Sequence, residues 1–404
     1  HMGGAVYIAA IAVGGSVFNM LYWLCGFLRM GTSGITAQCY GARDISGCSI
    51  SLARAMAVAI GMGIAMILLQ VPVFDGVILF MDCDEATRVT VHTYFTICIW
   101  GAPAVLGTFV LTGWWLGMQD SRTPMWVSVF VDVFNIAVSV SMVYVLRLRI
   151  EGVAIGTLSA QWAGFILGLV LCRRKYHVTM PSLRVVLRKV ELKKYFSINT
   201  DIFLRTVCLV CVTMWFTRVG SIQGAEMLAV NALLMQLFTL YSFFMDGFAF
   251  AAEALCGRFK GSGNMIMLRR VVHTLMGCAG VLALAFTVLY MLLGQEALHL
   301  LSSDKEVVAT AGEYFWWAVS IPLVGFAAFM WDGVSIGVTA TRRMLESMVC
   351  ATVLFFLVYY IAYPHMGNHG LWLAFIVYLF TRGIVLWALN REYWNQDLSP
   401  YSAR

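Results

Sequence analysis

Few charged or amide side chains interrupt the long apolar runs of this chain, and each one needs an account. In the first half they are Asp132, Asn135, Asn19 and Gln161, to which the hydroxyl of Thr157 is added; in the second half they are Asp201, Arg205, Asn231, Asp246, Glu253 and Asp332. An ionisable group at bilayer depth costs at least about 2.5–3.5 kcal/mol on insertion scales, so it is expected to face protein or a watery cavity. Asp132 and Asn135 lie three apart and share one helix face, roughly 12–17 Å from the cytoplasmic start of their helix at ~1.5 Å per residue. Asp201 and Arg205 lie four apart and can pair along one helix. Asp246 and Glu253 are two turns apart on one face, and the small residues between them let a neighbouring helix approach closely. Asp332 stands beside Gly333, where a carboxylate can line an opening cavity.

Such carboxylates suit one kind of chemistry. Without a countercharge in a low dielectric they favour the neutral form, and a proton or sodium ion can supply the neutralisation. A cationic substrate would compete for the same groups, which couples ion to substrate. Trp115, Tyr241, Trp316 and Trp331 are candidates to hold a cation against a ring face, although packing or interfacial anchoring is the commoner role of a tryptophan. Hydrogen bonding between helices is the structural alternative for Asp132 and Asn135, and mutual neutralisation the alternative for Asp201 with Arg205. The chain carries no GxxxxGK[ST], HExxH or GxSxG. It therefore reads as a non-enzyme with no metal centre and no cofactor beyond a coupling H⁺ or Na⁺. His365 and His369 fall in a short connector and read as solvated. The eleven cysteines are scattered singly apart from Cys208 and Cys211, and read as packing groups.

The elements that position these residues follow from composition. With 61% hydrophobic and only 12% charged residues, and a mean hydropathy of +0.82, the chain belongs in lipid. Runs long enough to cross a hydrocarbon core fall near 5–29, 51–73, 89–116, 124–146, 151–172, 195–219, 224–254, 265–293, 308–337, 344–363 and 369–390. Residues 173–194 carry eight Lys and Arg against Glu191 alone, which places that connector in the cytoplasm. Basic residues recur at every second connector, and two alternate connectors are acidic: Asp75, Asp82, Asp84 and Glu85 in one, Glu296, Asp304 and Glu306 in the other. Arg147 and Arg149 are the exception. The expected partners are the bilayer of an inner (plasma) membrane and a small-molecule substrate, with no nucleic acid, for a monomer.

The chain also repeats itself. Gly113, Gly117 and Arg122 match Gly333, Gly337 and Arg342 at one offset of 220, and the spans follow the same shift. The halves are parallel repeats about an axis along the membrane normal, as transporters often are. The counterpart of 195–219 would fall before residue 1. The repeat thus predicts a six-plus-six design of which this chain carries eleven spans: an N-lobe at 1–172, the basic connector 173–194, a C-lobe at 195–390 and a tail at 391–404.

Several segments resemble one family. Phe27-Leu-Arg-Met-Gly-Thr-Ser-Gly-Ile-Thr-Ala-Gln38 with Gly41-Ala-Arg-Asp44, Asn199-Thr-Asp-Ile202 with Arg205, Ala229-Val-Asn-Ala232, Asp246-Gly-Phe-Ala-Phe-Ala-Ala-Glu253 and Gly367-Asn-His-Gly-Leu-Trp372 are similar to multidrug and toxic compound extrusion (MATE) transporters, the DinF-like branch in particular. The resemblance implies an all-α polytopic membrane protein of two six-helix bundles arranged as a V. It implies efflux of cationic or amphipathic compounds against an H⁺ or Na⁺ gradient by alternating access. It aligns Asn135 with the family asparagine of the fifth helix and Thr157 with the threonine that opens the sixth, while Ser139 stands where some members have an aspartate. The family's aspartate on the first helix has no counterpart in this sequence. The alternatives are a lipid-linked precursor flippase, for which Arg29, Arg205 and Arg382 are candidate cavity cations, a membrane-embedded transferase, and a channel.

Overall fold

A computed structural model describes residues 5–78, 85–176, 178 and 181–394. Asp82 and Asp84 of the acidic connector, and most of the tail at 391–404, lie outside the described residues. Every regular element among those described is helical, and eleven helical segments are long and apolar enough to cross a membrane. They run Ile11–Gly41, Ile45–Leu68, Arg88–Gly117, Arg122–Tyr144, Ile150–Tyr176, Lys189–Ile222, Ala225–Gly261, Met265–Leu301, Lys305–Gly337, Thr341–Met366 and Asn368–Leu389, each over the run that hydropathy marks.

Two compact units divide the chain: residues 1–40 with 44–199, and residues 200–404 with 41–43. The first contains α1 (Ala5–Leu24), α2 (Phe27–Gly41), α3 (Ile45–Leu68), α4 (Gln70–Ile78), α5 (Glu85–Cys98), α6 (Ala102–Gly117), α7 (Arg122–Tyr144), α8 (Ile150–Tyr176), the single turn α9 (Leu183–Val186) and the opening of α10 (Lys189–Ile222). The second contains the rest of α10, then α11 (Ala225–Gly261), α12 (Met265–Leu301), α13 (Lys305–Gly337), α14 (Thr341–Met366) and α15 (Asn368–Leu389).

The 220-residue repeat is visible in the packing of each unit. α3 packs on α6, α1 on α5, α7 on α8, and α5 and α6 on α8; the same pairs recur as α12 on α13, α11 on α13, α14 on α15 and α13 on α15. Glycine sets the closest approaches. In the first unit a Cβ on Gly113 would strike the carbonyl of Arg29, and one on Gly117 would strike Thr36 and Ser33. In the second, Gly333 meets the Ala249 backbone and Gly337 meets the Glu253 backbone, again 220 residues on. These contacts bring α13 against the small-residue face of α11, the use expected of a glycine-bearing interface in lipid. Local signals repeat as well. Asp44 caps α3 by accepting from Gly47 N at 2.8 Å, and Asn264 caps α12 by accepting from Met267 N at 3.0 Å.

The halves differ where the first is interrupted. The span α1–α2 breaks at Cys25 and Gly26, and the span α5–α6 breaks at a 3-10 turn, Ile99–Gly101, with Pro103 at the start of α6. Their counterparts α11 and α13 run unbroken. On α8, Gly152, Gly156 and Gly164, spaced four and eight residues apart, lie on one stripe against Met142, Ser139 and Val131 of α7. Large apolar side chains such as Leu292 on α12 and Leu300 at its end remain exposed, as expected where lipid tails replace water.

Candidate functional site

In the second unit the structure gathers charge from three helices. Asp332 on α13 presents Oδ2 to the guanidinium groups of Arg205 on α10 and of Arg382 on α15; the Arg205 Nη2 bond is direct and the Arg382 Nη2 bond is 2.6 Å. All three residues are buried, with 9%, 6% and 3% exposure for Arg205, Asp332 and Arg382, so the pairing is what permits the charges to be there. The Arg382 guanidinium also lies 5.5 Å from the Tyr378 ring centre. Asp332 Oδ1 and both arginine Nε atoms lack a hydrogen-bond partner among the described residues. A carboxylate held by two cations has little reason to take up a proton or a sodium ion. Asp332 is therefore a fixed countercharge and does not stand unpaired in a cavity.

That geometry changes the expected partner of Arg205. Asp201, four residues earlier, is not bonded to it; its Oδ2 accepts from Thr341 Oγ1 at 3.1 Å, and its Oδ1 lies 3.9 Å from Nη1 of the exposed Arg342. The contact within the helix gives way because a second, buried carboxylate meets Arg205 across the bundle. Asp246 is half-buried and Glu253 is buried on the same helix, α11.

A second polar knot ties α11 to α15. Asn231 and Asn368 exchange reciprocal amide bonds of 2.9 Å, and Asn231 Oδ1 also accepts from Trp372 Nε1 at 2.9 Å. Asn231 thus meets its hydrogen-bonding needs inside the protein. Close by in sequence, His369 is half-buried: its Nδ1 accepts from Trp317 Nε1 at 3.0 Å, and its ring lies 4.5 Å from Tyr314. The expectation of a solvated His369 is corrected by this contact, whereas His365 is exposed.

The aromatic candidates separate in the same way. Trp115, Tyr241 and Trp331 are 0%, 0% and 1% exposed, so they pack the interior and do not line an open cavity. Tyr241 donates to the Pro322 carbonyl at 3.0 Å, at a residue that has no N–H to donate within its own helix. Trp316 is exposed.

The first unit arranges its polar groups differently. Asp132 is exposed on α7 and makes no ion pair or side-chain hydrogen bond among the described residues. One turn on, Asn135 is half-buried and its Oδ1 accepts from Ser139 Oγ at 2.9 Å. Ser139 faces Gly156, where a Cβ would strike the Ser139 side chain and backbone of α7. Thr157, the next residue on α8, bonds back to the Val153 carbonyl at 3.0 Å. Asn135, Ser139 and Thr157 therefore sit around one helix contact, with Asp132 a turn away as the ionisable group.

Asp120, in the connector between α6 and α7, did not stand out from the sequence. Its Oδ2 accepts from Lys175 Nζ at 2.7 Å, Tyr176 Oη at 2.5 Å and Thr123 Oγ1 at 2.5 Å, and its Oδ1 from Thr123 N at 3.1 Å. Burial opposes its charge, but the bonds from Lys175, Thr123 and Tyr176 outweigh it and hold the carboxyl well below the usual range. The available clue was an aspartate three residues before a threonine at a helix start.

Eleven apolar spans among the described residues, in two units with matched helix pairings and buried polar groups in each, define a duplicated polytopic membrane protein. The MatE family profile matches residues 1–141 and 202–361, and the chain belongs to that family of multidrug and toxin efflux transporters. It is 33% identical over 396 residues to DNA damage-inducible protein F of Escherichia coli K12, covering 98% of this chain and 86% of that protein. Its fold matches a MATE transporter in the bent conformation with a TM-score of 0.84 at 20% identity, covering 96% of this chain and 88% of the other. It also matches an outward-facing multidrug resistance MATE transporter of the MOP superfamily, with a TM-score of 0.83 at 20% identity and the same coverage.

Proposed function

We propose that the chain works as a secondary active transporter, exporting cationic or amphipathic compounds, drugs among them, in exchange for H⁺ or Na⁺ by alternating access in a plasma membrane. The carrying observation is the contrast between carboxylates. Asp332 is neutralised by Arg205 and Arg382, while Asp132 is exposed and has no ion-pair partner among the described residues. Only a carboxylate without a fixed countercharge can exchange a proton, a sodium ion and a cationic substrate. In this reading Asp132 is the coupling group, and Asn135 and Thr157 supply neutral oxygens nearby. A fold shared with a MATE transporter described in an outward-facing conformation supports a cycle between two states.

Proteoliposomes carrying the full chain test the proposal, with efflux of an organic cation followed under separate H⁺ and Na⁺ gradients. Efflux should follow one of the gradients, and Asp132→Asn should abolish that dependence. Efflux that ignores both gradients, or an Asp132→Asn protein that is still coupled, would overturn it. Strong binding of an anionic lipid-linked precursor would favour the flippase reading, to which the cationic excess at Arg205 and Arg382 is better suited.

A further inference from the structure

Away from these groups, the first unit holds a cavity of about 580 Å³ between α4 and α5, within the ~300–1,000 Å³ range of small-ligand sites. Its walls are two helical stripes: Val71, Phe74 and Asp75 on α4, and Arg88, His92 and Phe95 on α5. The floor is aromatic. Phe74 packs on Phe95 at 5.3 Å and edge-on to His92 at 4.9 Å, and Phe95 stacks on Phe18 of α1 at 5.1 Å.

The rim carries opposite charges, and neither Asp75 nor Arg88 has an ion-pair partner among the described residues although they line one cavity. Depth follows from the chain. α6 ends at Gly117 on the basic, cytoplasmic side. Counting back at ~1.5 Å per residue puts Phe95 roughly 33 Å and Arg88 roughly 43 Å away. With a hydrocarbon core of about 30 Å and about 40–45 Å including headgroups, the aromatic floor sits at the outer edge of the hydrocarbon and the charged rim among the headgroups.

We infer that this groove binds a phospholipid of the outer leaflet, with a preference for phosphatidylethanolamine. Arg88 meets the lipid phosphate with a charge-assisted, fork-shaped contact. Asp75 accepts from the primary ammonium. The upper acyl chain lies on Phe74 and Phe95. Phosphatidylcholine has the same net charge but no N–H to donate to Asp75, and phosphatidylglycerol has no cation at all, so the rim discriminates between headgroups.

Native mass spectrometry of the purified full chain with chain-matched lipids tests this. Phosphatidylethanolamine should be retained about tenfold over the other two, a difference of ~1.4 kcal/mol. Asp75→Asn should erase the advantage over phosphatidylcholine, and Arg88→Gln should weaken both. Arg88→Lys keeps the charge without the fork and should weaken them less. Equal retention of the three lipids would overturn the inference, as would a preference that survives Asp75→Asn. Soluble glycerophosphoethanolamine binding as tightly as the lipid would overturn it too, because the aromatic floor would then contribute nothing.

Discussion

Asp332 and Asp132 are both aspartates within apolar helices, one in each unit, and what surrounds each assigns it opposite work. Removing the charge of Asp332 would leave Arg205 and Arg382 buried side by side without a counterion. Breaking a buried pair in this way costs about 3–5 kcal/mol. Asp332→Asn should therefore lower the thermal unfolding midpoint of the detergent-purified protein sharply; an unchanged midpoint would mean the arginines find another partner. Asp132→Asn changes an exposed group, and substitutions away from structural features usually stay within about ±0.5 kcal/mol. It should leave the midpoint unaltered while ion-driven efflux is lost. The pair of variants thus separates a structural carboxylate from a coupling one, a distinction that their sequence surroundings do not make. Arg205 and Asp332 are separated by 127 residues, and only the meeting of α10, α13 and α15 chooses that contact over the nearer Asp201.

Among the elements, both units fasten the start of one helix to the end of the next, with different chemistry. In the first, Asp120 before α7 binds Lys175 and Tyr176 at the end of α8, and Tyr176 rests edge-on against Trp114 at 5.1 Å. In the second, Arg343 at the start of α14 donates to Glu392 Oε1 at 2.6 Å and to Asn390 Oδ1 at 3.2 Å, just past α15. The Arg343 hydrogen bond is the main reason that the Glu392 carboxyl is lowered. Asp120 has a folded-state pKa below its unfolded value, so its stabilisation is fully present above about pH 4 and is lost as the pH falls through the folded value. Thermal midpoints measured from pH 6 downward should fall in acid, and Asp120→Asn should flatten that slope while costing about 1–3 kcal/mol at neutral pH. A variant with the same slope as the parent would show that other carboxylates govern the acid limb. At this scale the sequence was easiest to read, because hydropathy marks each span directly. The breaks at Cys25–Gly26 and Ile99–Gly101 escaped it, since both interruptions occur inside apolar runs where packing and backbone geometry, not polarity, change.

Duplication organises the whole molecule, and the backbone records it more faithfully than the side chains do. Three identities at an offset of 220 were enough to reveal the repeat in sequence; in the structure the same offset relates three pairs of left-handed backbone positions. They are Arg43 (φ 58°) with Gly263 (φ 69°), Gln119 (φ 64°) with Thr339 (φ 55°), and Arg147 (φ 54°) with Gly367 (φ 55°). These residues share no side-chain chemistry, so a comparison of residue types could not align them; what is repeated is the positive φ at the same offset. Arg147 is also one of the two residues that break the charge rule for orientation. Its counterpart Gly367 has ψ −130°, a conformation that residues with a Cβ seldom adopt. Gly367→Ala should therefore lower the unfolding midpoint by the equivalent of about 1–3 kcal/mol. Arg147→Gly, which relieves the positive φ at the matching position, should hold the midpoint steady or raise it by up to about 1 kcal/mol, since only glycine enters this region without steric cost. Opposite signs at two positions related by the repeat are the signature of a shared positive φ carried by different residues. A loss of stability at both would mean that Arg147 is retained for contacts of its own side chain, and that the two connectors have diverged in energetics while keeping a positive φ at the same offset.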